Sequence, residues 1–131
     1  EGAAGRHEEL LAIVQIESQA ALDEVEAIAG VEGVDVLFVG PTDLSHALGI
    51  PGDIDHPAYV AAAERIGRAC ADAGKAAGVM VRRPEDVARY TPYGYRFFAL
   101  ASEANMLDRA VRAELEAARR AATVAYTPEV T

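Results

Sequence analysis

Cysteine is almost missing from this chain: 131 residues hold one, Cys70. A single thiol cannot build a disulfide framework, so stability has to come from burial. Cys70 falls in a helical segment and is expected to be a small buried hydrophobe, not a nucleophile. Positive charge is also scarce. Twelve Lys and Arg stand against 21 Asp and Glu, a formal net charge of −9. Such a chain has no electrostatic footprint for a phosphate backbone, so nucleic acid is not an expected partner. An anionic membrane surface is disfavoured for the same reason. No apolar run approaches the roughly 20 residues of a membrane span. The first residues, EGAAGRHEE, lack the basic-then-apolar order of a secretion leader. The expectation is a protein of the reducing cytoplasm. What the chain does have is 51% hydrophobic and 25% charged residues, the balance of one soluble domain with a core of its own.

The apolar residues fall into two patterns. Short continuous runs rich in Val, Ile, Leu and Phe predict strands buried on both faces at residues 12–16, 34–39, 77–81 and 96–100. Between them, helical spacing predicts helices over 18–29, 56–73, 84–90 and 106–122, with a further helix starting near Leu44. Pro84 followed by Glu85 and Asp86 suits a first helical turn. Gly74 and Gly94 are placed as left-handed helix ends before strands. Alternation of strand and helix predicts an α/β fold, with a parallel sheet and helices outside it. Four such units could form a small open sheet. They could also form half of a (β/α)8 barrel, which takes about 250 residues in full. Both architectures place their chemistry at the C-terminal ends of the strands.

Two strands end on carboxylates. AIVQIES carries Glu17, and VDVLFVGPTD carries Asp43. On neighbouring parallel strands, about 4.8 Å apart, both can face one ion. Hard oxygen ligands suit Mg²⁺ or Mn²⁺, with Co²⁺ also accepted, and magnesium commonly takes one or two carboxylates. Free backbone N–H groups in the following turn suit a carboxylate or phosphate. Together these features match a 2-oxo acid. Simpler readings stand beside them. Asp43 would serve as a helix N-cap, Glu17 as an exposed strand-end acid, and Gln15, on the same strand face as Glu17, as filler of a polar mouth. His46 is expected on a helix surface or in the core rather than as a base, and His56 as a cap. Arg82 and Arg83 either meet a substrate carboxylate or lie in a solvated loop. Met80 faces a pocket or the core. Ser102 and Glu103 follow the fourth strand.

The segments IVQIES, EGVDVLFVGPTDLSHALG, AGVMV and YGYRFFALASEANML resemble the HpcH/HpaI aldolase/citrate lyase family over roughly residues 11–120. The pairing of Glu17-Ser18 with Gly40-Pro-Thr-Asp-Leu-Ser is its most specific part. The resemblance implies a class II pyruvate aldolase, such as a 4-hydroxy-2-oxoheptanedioate or 2-dehydro-3-deoxyglucarate aldolase. Such an enzyme cleaves a 4-hydroxy-2-oxo acid to pyruvate, or a close analogue, and an aldehyde. It implies that Glu17 and Asp43 bind the divalent metal, that the amides of Thr42 and Asp43 hold the pyruvate carboxylate, and that Gln15 and Met80 line the site. The four strands would be barrel strands five to eight, the C-terminal half of the barrel. Residues 1–123 would form that partial domain, with 104–122 a helix exchanged between subunits of a dimer or hexamer, and 124–131 a tail; the other expected partner is the missing half of the barrel. The family's catalytic base and its arginine belong to the other half, so the catalytic residues are unassigned here, and His46 does not match by motif. The alternatives are a non-catalytic module that binds metal or 2-oxo acid, and a coenzyme A thioester lyase of the citrate-lyase branch.

Overall fold

The computed structural model describes residues 10–125. Strands β1 (Ile13–Ile16), β2 (Val36–Val39), β3 (Ala76–Val81) and β4 (Tyr95–Leu100) form one parallel sheet in sequential order. Helices α1 (Gln19–Asp23) and α2 (Val25–Ala29) follow β1, α3 (Pro41–Ala47) and α4 (Pro57–Asp72) follow β2, and α5 (Val87–Tyr90) follows β3. Short 3₁₀ turns at Pro84–Asp86 and Thr91–Tyr93 flank α5. The sheet and these helices form one compact unit, ending at Leu100. A second unit begins at Ala101 and contains α6 (Glu103–Ala125).

All four predicted strands are present, within two residues of the expected bounds. Asp35 accepts the Ala12 N–H at 2.8 Å, which pins the start of β1 against β2. The register that follows pairs Gln15 with Phe38 and Ile16 with Val39. Alternation along the strands then divides the sheet into two faces. Ile16, Leu37, Val39, Ala77, Val79 and Val81 are buried with Leu22, Val25, Ala29, Ile66 and Cys70 from the helices. On the opposite face Ile13 and Met80 are 45% and 44% exposed, and the Phe38 and Phe97 rings meet edge-on. Burial on both faces was the expectation; within the described residues only the helix face is fully covered.

The helices differ from expectation in four places, the first being 84–90, where the one predicted helix is a 3₁₀ turn (Pro84–Asp86) followed by the short α5. The segment predicted as one helix over 18–29 is two, broken at Glu24 (φ −101°, ψ 16°). The break lets Leu22, Val25 and Ala29 all reach the core. The helix expected near Leu44 starts at Pro41, with Gly40 as its N-cap. Proline at the first helical position loses no hydrogen bond there. The last helix is longer than predicted, Glu103–Ala125, with Leu107, Val111 and Leu115 exposed. The expected tail beyond 125 lies outside the described residues.

Other local expectations hold. His56 caps α4, its Nδ1 accepting from the Ala58 N–H at 3.1 Å. Gly74 and Gly94 are left-handed, at φ +68° and +83°. Cys70 is buried, and burial pushes its thiol pKa up. The buried Tyr59 and Tyr90 hydroxyls pair at 3.2 Å, and Tyr95 donates to the Ala63 carbonyl at 3.0 Å. No helix among the described residues is long and apolar enough to cross a membrane.

Candidate functional site

The C-terminal ends of β1 and β2 bring three of the predicted site residues around one backbone position. Gly40 continues β2 and is buried. A Cβ placed on it would lie 2.7 Å from Gln15 Nε2, 3.4 Å from Glu17 Oε2 and 3.5 Å from Asp43 Oδ2. Glycine at 40 is what lets the Gln15 carboxamide lie this close, since any Cβ would push it aside; the backbone itself makes no such demand, with φ at −89°. Glu17 follows β1 directly and precedes Ser18, whose hydroxyl accepts the Ala21 N–H at 3.1 Å and caps α1.

Asp43 is not the N-cap of α3, because the helix starts earlier and Asp43 sits in its first turn. Its carboxylate instead lies beside Gly40, near the same point that Glu17 approaches. Neither Glu17 nor Asp43 forms a hydrogen bond or ion pair with another described residue. Two exposed carboxylates and a carboxamide around one point form a hard, all-oxygen anionic donor set with one amide beside it. That donor set fits Mg²⁺ or Mn²⁺ held by two protein carboxylates, with its other positions left for water or substrate. No group of three or more potential His, Cys, Asp or Glu ligands occurs among the described residues.

A cleft of about 120 Å³ opens beside these residues, between the ends of β2 and β3. Pro41, Thr42, Gly52, Ile54, Met80, Val81, Arg82, Asp86 and Tyr90 line it. Thr42 and Met80, both expected at the site, therefore share one wall system, and Met80 is not a core residue. Arg82 reaches the cleft, whereas Arg83 is engaged in its own turn. Arg83 pairs with Asp86 at 2.9 Å and with Glu85 at 3.8 Å. Its hydrogen bond holds the Asp86 carboxyl below the usual carboxylate range. His46 is exposed in the last turn of α3. Ser102 starts α6, accepting from Asn105 Nδ2 at 3.0 Å, and belongs to the second unit. Ile54, Gly52 and Tyr90 were not expected in the cleft. They come from loops and a helix that carry no strand-end signal.

Parallel β/α units with polar side chains gathered at the C-terminal ends of adjacent strands define the class of α/β proteins that carry their sites at that end of the sheet. The chain belongs to the HpcH/HpaI aldolase/citrate lyase family, whose model matches residues 1–110. It is 42% identical over 109 residues to hydroxypyruvate/pyruvate aldolase of Delftia acidovorans, covering 83% of this chain and 40% of that protein. It is 41% identical over 100 residues to 5-keto-4-deoxy-D-glucarate aldolase of Klebsiella pneumoniae, covering 76% and 39%. A solved HpcH/HpaI family protein from Burkholderia cenocepacia superposes with a TM-score of 0.81 at 40% identity, over 86% of this chain and 44% of that one. The chain thus spans about two fifths of the length of the curated relatives it matches.

Proposed function

We propose that this chain supplies the divalent-metal and 2-oxo-acid site of a class II pyruvate aldolase, its four β/α units being strands five to eight of a (β/α)8 barrel. The observation that carries the reading is the convergence of Gln15, Glu17 and Asp43 around Gly40. Glu17 and Asp43 would hold Mg²⁺ or Mn²⁺. Bound there, the ion supplies Lewis-acid chemistry at the keto oxygen of a 2-oxo acid.

The chain's own groups do the rest of the binding. The N–H groups of Thr42 and Asp43 fall in the first turn of α3, where intrahelical acceptors are lacking, and donate to the acid's carboxylate. Gln15 Nε2 donates to a substrate oxygen over Gly40. Met80 closes the apolar side, and the cleft beyond it accommodates further substrate atoms. The group that removes or returns a proton is assigned to no residue of this chain. The substrates are then a 4-hydroxy-2-oxo acid in one direction, and pyruvate or an analogue with an aldehyde in the other.

The test is deuterium exchange into the pyruvate methyl group, followed by NMR with added Mn²⁺ or Mg²⁺, with EDTA, and with Glu17→Gln. Exchange is expected to need the ion. It should fall by more than about 100-fold in Glu17→Gln, more than the loss of an outer partner of a metal ligand costs. Exchange that survives both EDTA and Glu17→Gln would remove the metal reading. Mn²⁺ binding that depends on Glu17, without exchange, would leave a binding site whose base lies outside these residues.

A further inference from the structure

Apart from tyrosine, Ser45 is the one polar side chain buried among the described residues, at 0% exposure. Its hydroxyl is used twice. Oγ donates to the Thr42 carbonyl at 2.7 Å and accepts the Gly52 N–H at 2.9 Å. The first bond is local to α3. The second reaches seven residues along the chain and ties α3 to the loop before α4. Both residues it holds, Thr42 and Gly52, line the cleft.

The Thr42 carbonyl and the Asp43 N–H belong to one planar peptide unit. A further bond to that carbonyl tightens the hold on the plane that α3 sets, and with it the direction in which the Asp43 side chain leaves the backbone. The Asp43 side chain makes no bond to another described residue, yet its Oδ2 lies 3.5 Å from the point a Gly40 Cβ would take, which Glu17 Oε2 approaches to 3.4 Å. Pro41 and the backbone bonds of α3 restrict the turn, and the Ser45 hydroxyl adds a further hold on the Thr42 carbonyl that also reaches outside the helix, to Gly52. We infer that Ser45 is a positioning residue: through the Thr42–Asp43 peptide it aims the Asp43 carboxylate at the point it shares with Glu17, and so sets divalent-ion affinity. The inference rests on the proposed metal reading. A hydroxyl with no role beyond filling space at this position would be replaceable by alanine or cysteine without effect on ion binding.

The experiment titrates Mn²⁺ into the full chain, reads free ion by electron paramagnetic resonance, and records a thermal melt for each variant. Ser45→Ala is expected to weaken Mn²⁺ binding about tenfold, the low end for losing an outer partner of a metal ligand. Ser45→Thr keeps the hydroxyl and is expected to restore most of that affinity. Ile66→Val, at a fully buried site in α4, lowers the melting temperature but leaves Mn²⁺ affinity unchanged. Wild-type affinity in Ser45→Ala would overturn the inference. So would an equal loss in Ile66→Val, which would mean that general loosening is enough. If Ser45→Ala does not fold, Ser45→Cys, with its weak donor, carries the test: reduced affinity supports the inference and wild-type affinity ends it. Failure of the metal reading looks different. There wild-type protein binds no Mn²⁺, or Glu17→Gln binds it equally well, and the role of Ser45 falls with it.

Discussion

At the scale of single residues, the site depends on an absent side chain as much as on the ones present. Gly40 lets Gln15 lie across the end of β2, and a Cβ there would stand 2.7 Å from Gln15 Nε2. The obstructing atom is the far end of a flexible side chain, and the backbone at Gly40 has an ordinary φ. Gly40→Ala is therefore expected to fold normally and displace Gln15. Pyruvate affinity, measured by NMR titration in the presence of Mn²⁺, should drop about fivefold, the worth of one hydrogen bond of ~1 kcal/mol. Unchanged affinity would mean that the Gln15 amide touches no substrate. Much of this site was legible in the sequence, because Glu17 and Asp43 each follow an apolar run. The convergence at Gly40 was not. It depends on the β1–β2 register, which Asp35 and Ala12 set at the other end of the strands. Ser45 was also missed: its hydroxyl is paid for by Gly52, whose position in an irregular loop no periodicity announces.

At the scale of elements, α4 is the helix that carries the core, and one contact fixes how closely it can lie. A Cβ on Gly67 would sit 2.1 Å from the Tyr93 carbonyl oxygen, a backbone atom that cannot rotate away. Gly67→Ala is expected to cost about 2–3 kcal/mol as the helix is forced outward. Denaturant unfolding measures that directly. A second link, on the surface, joins α4 to α2. Arg65 Nη2 meets Glu26 Oε2 at 2.7 Å, and the same guanidinium donates to the Asp23 carbonyl at 3.1 Å. The hydrogen bond from Arg65 lowers the Glu26 pKa from an ordinary 4.5 to about 2. A carboxyl with a depressed folded-state pKa stabilises fully above 4.5, and that contribution is lost as pH falls toward 2. Both groups are exposed, so the contribution is small and screened by salt. Acid unfolding of Glu26→Gln, compared with wild type, should show a shallower loss between those pH values, and the difference should shrink at high salt. The strands were predictable because each is a run of β-branched and aromatic residues. The break at Glu24 was not, since Gln19–Ala29 reads as one helical stripe and only packing against the sheet decides that it bends.

At the scale of the whole molecule, the parallel sheet is covered by helices on one face. On the other, Ile13 and Met80 remain open beside Phe38 and Phe97, and β1 and β4 each have a partner on one side only among the described residues. Unpaired strand edges present rows of free N–H and C=O groups that template pairing with another chain. An apolar face beside such edges adds a hydrophobic drive in the same direction. Two such sheets joined edge to edge would bring eight strands together, the number that closes a barrel. A polypeptide of these 131 residues is therefore expected to associate with itself in solution. Light scattering after size exclusion, over a range of protein concentrations, should show a mass above 13.8 kDa that rises with concentration. Replacing Ile13 and Met80 with serine should shift that equilibrium toward the monomer without lowering helix content, because both side chains lie on the open face. A monomer at every concentration would mean that the open face is satisfied within the chain itself, and the half-barrel reading of the sheet would then lose its physical basis.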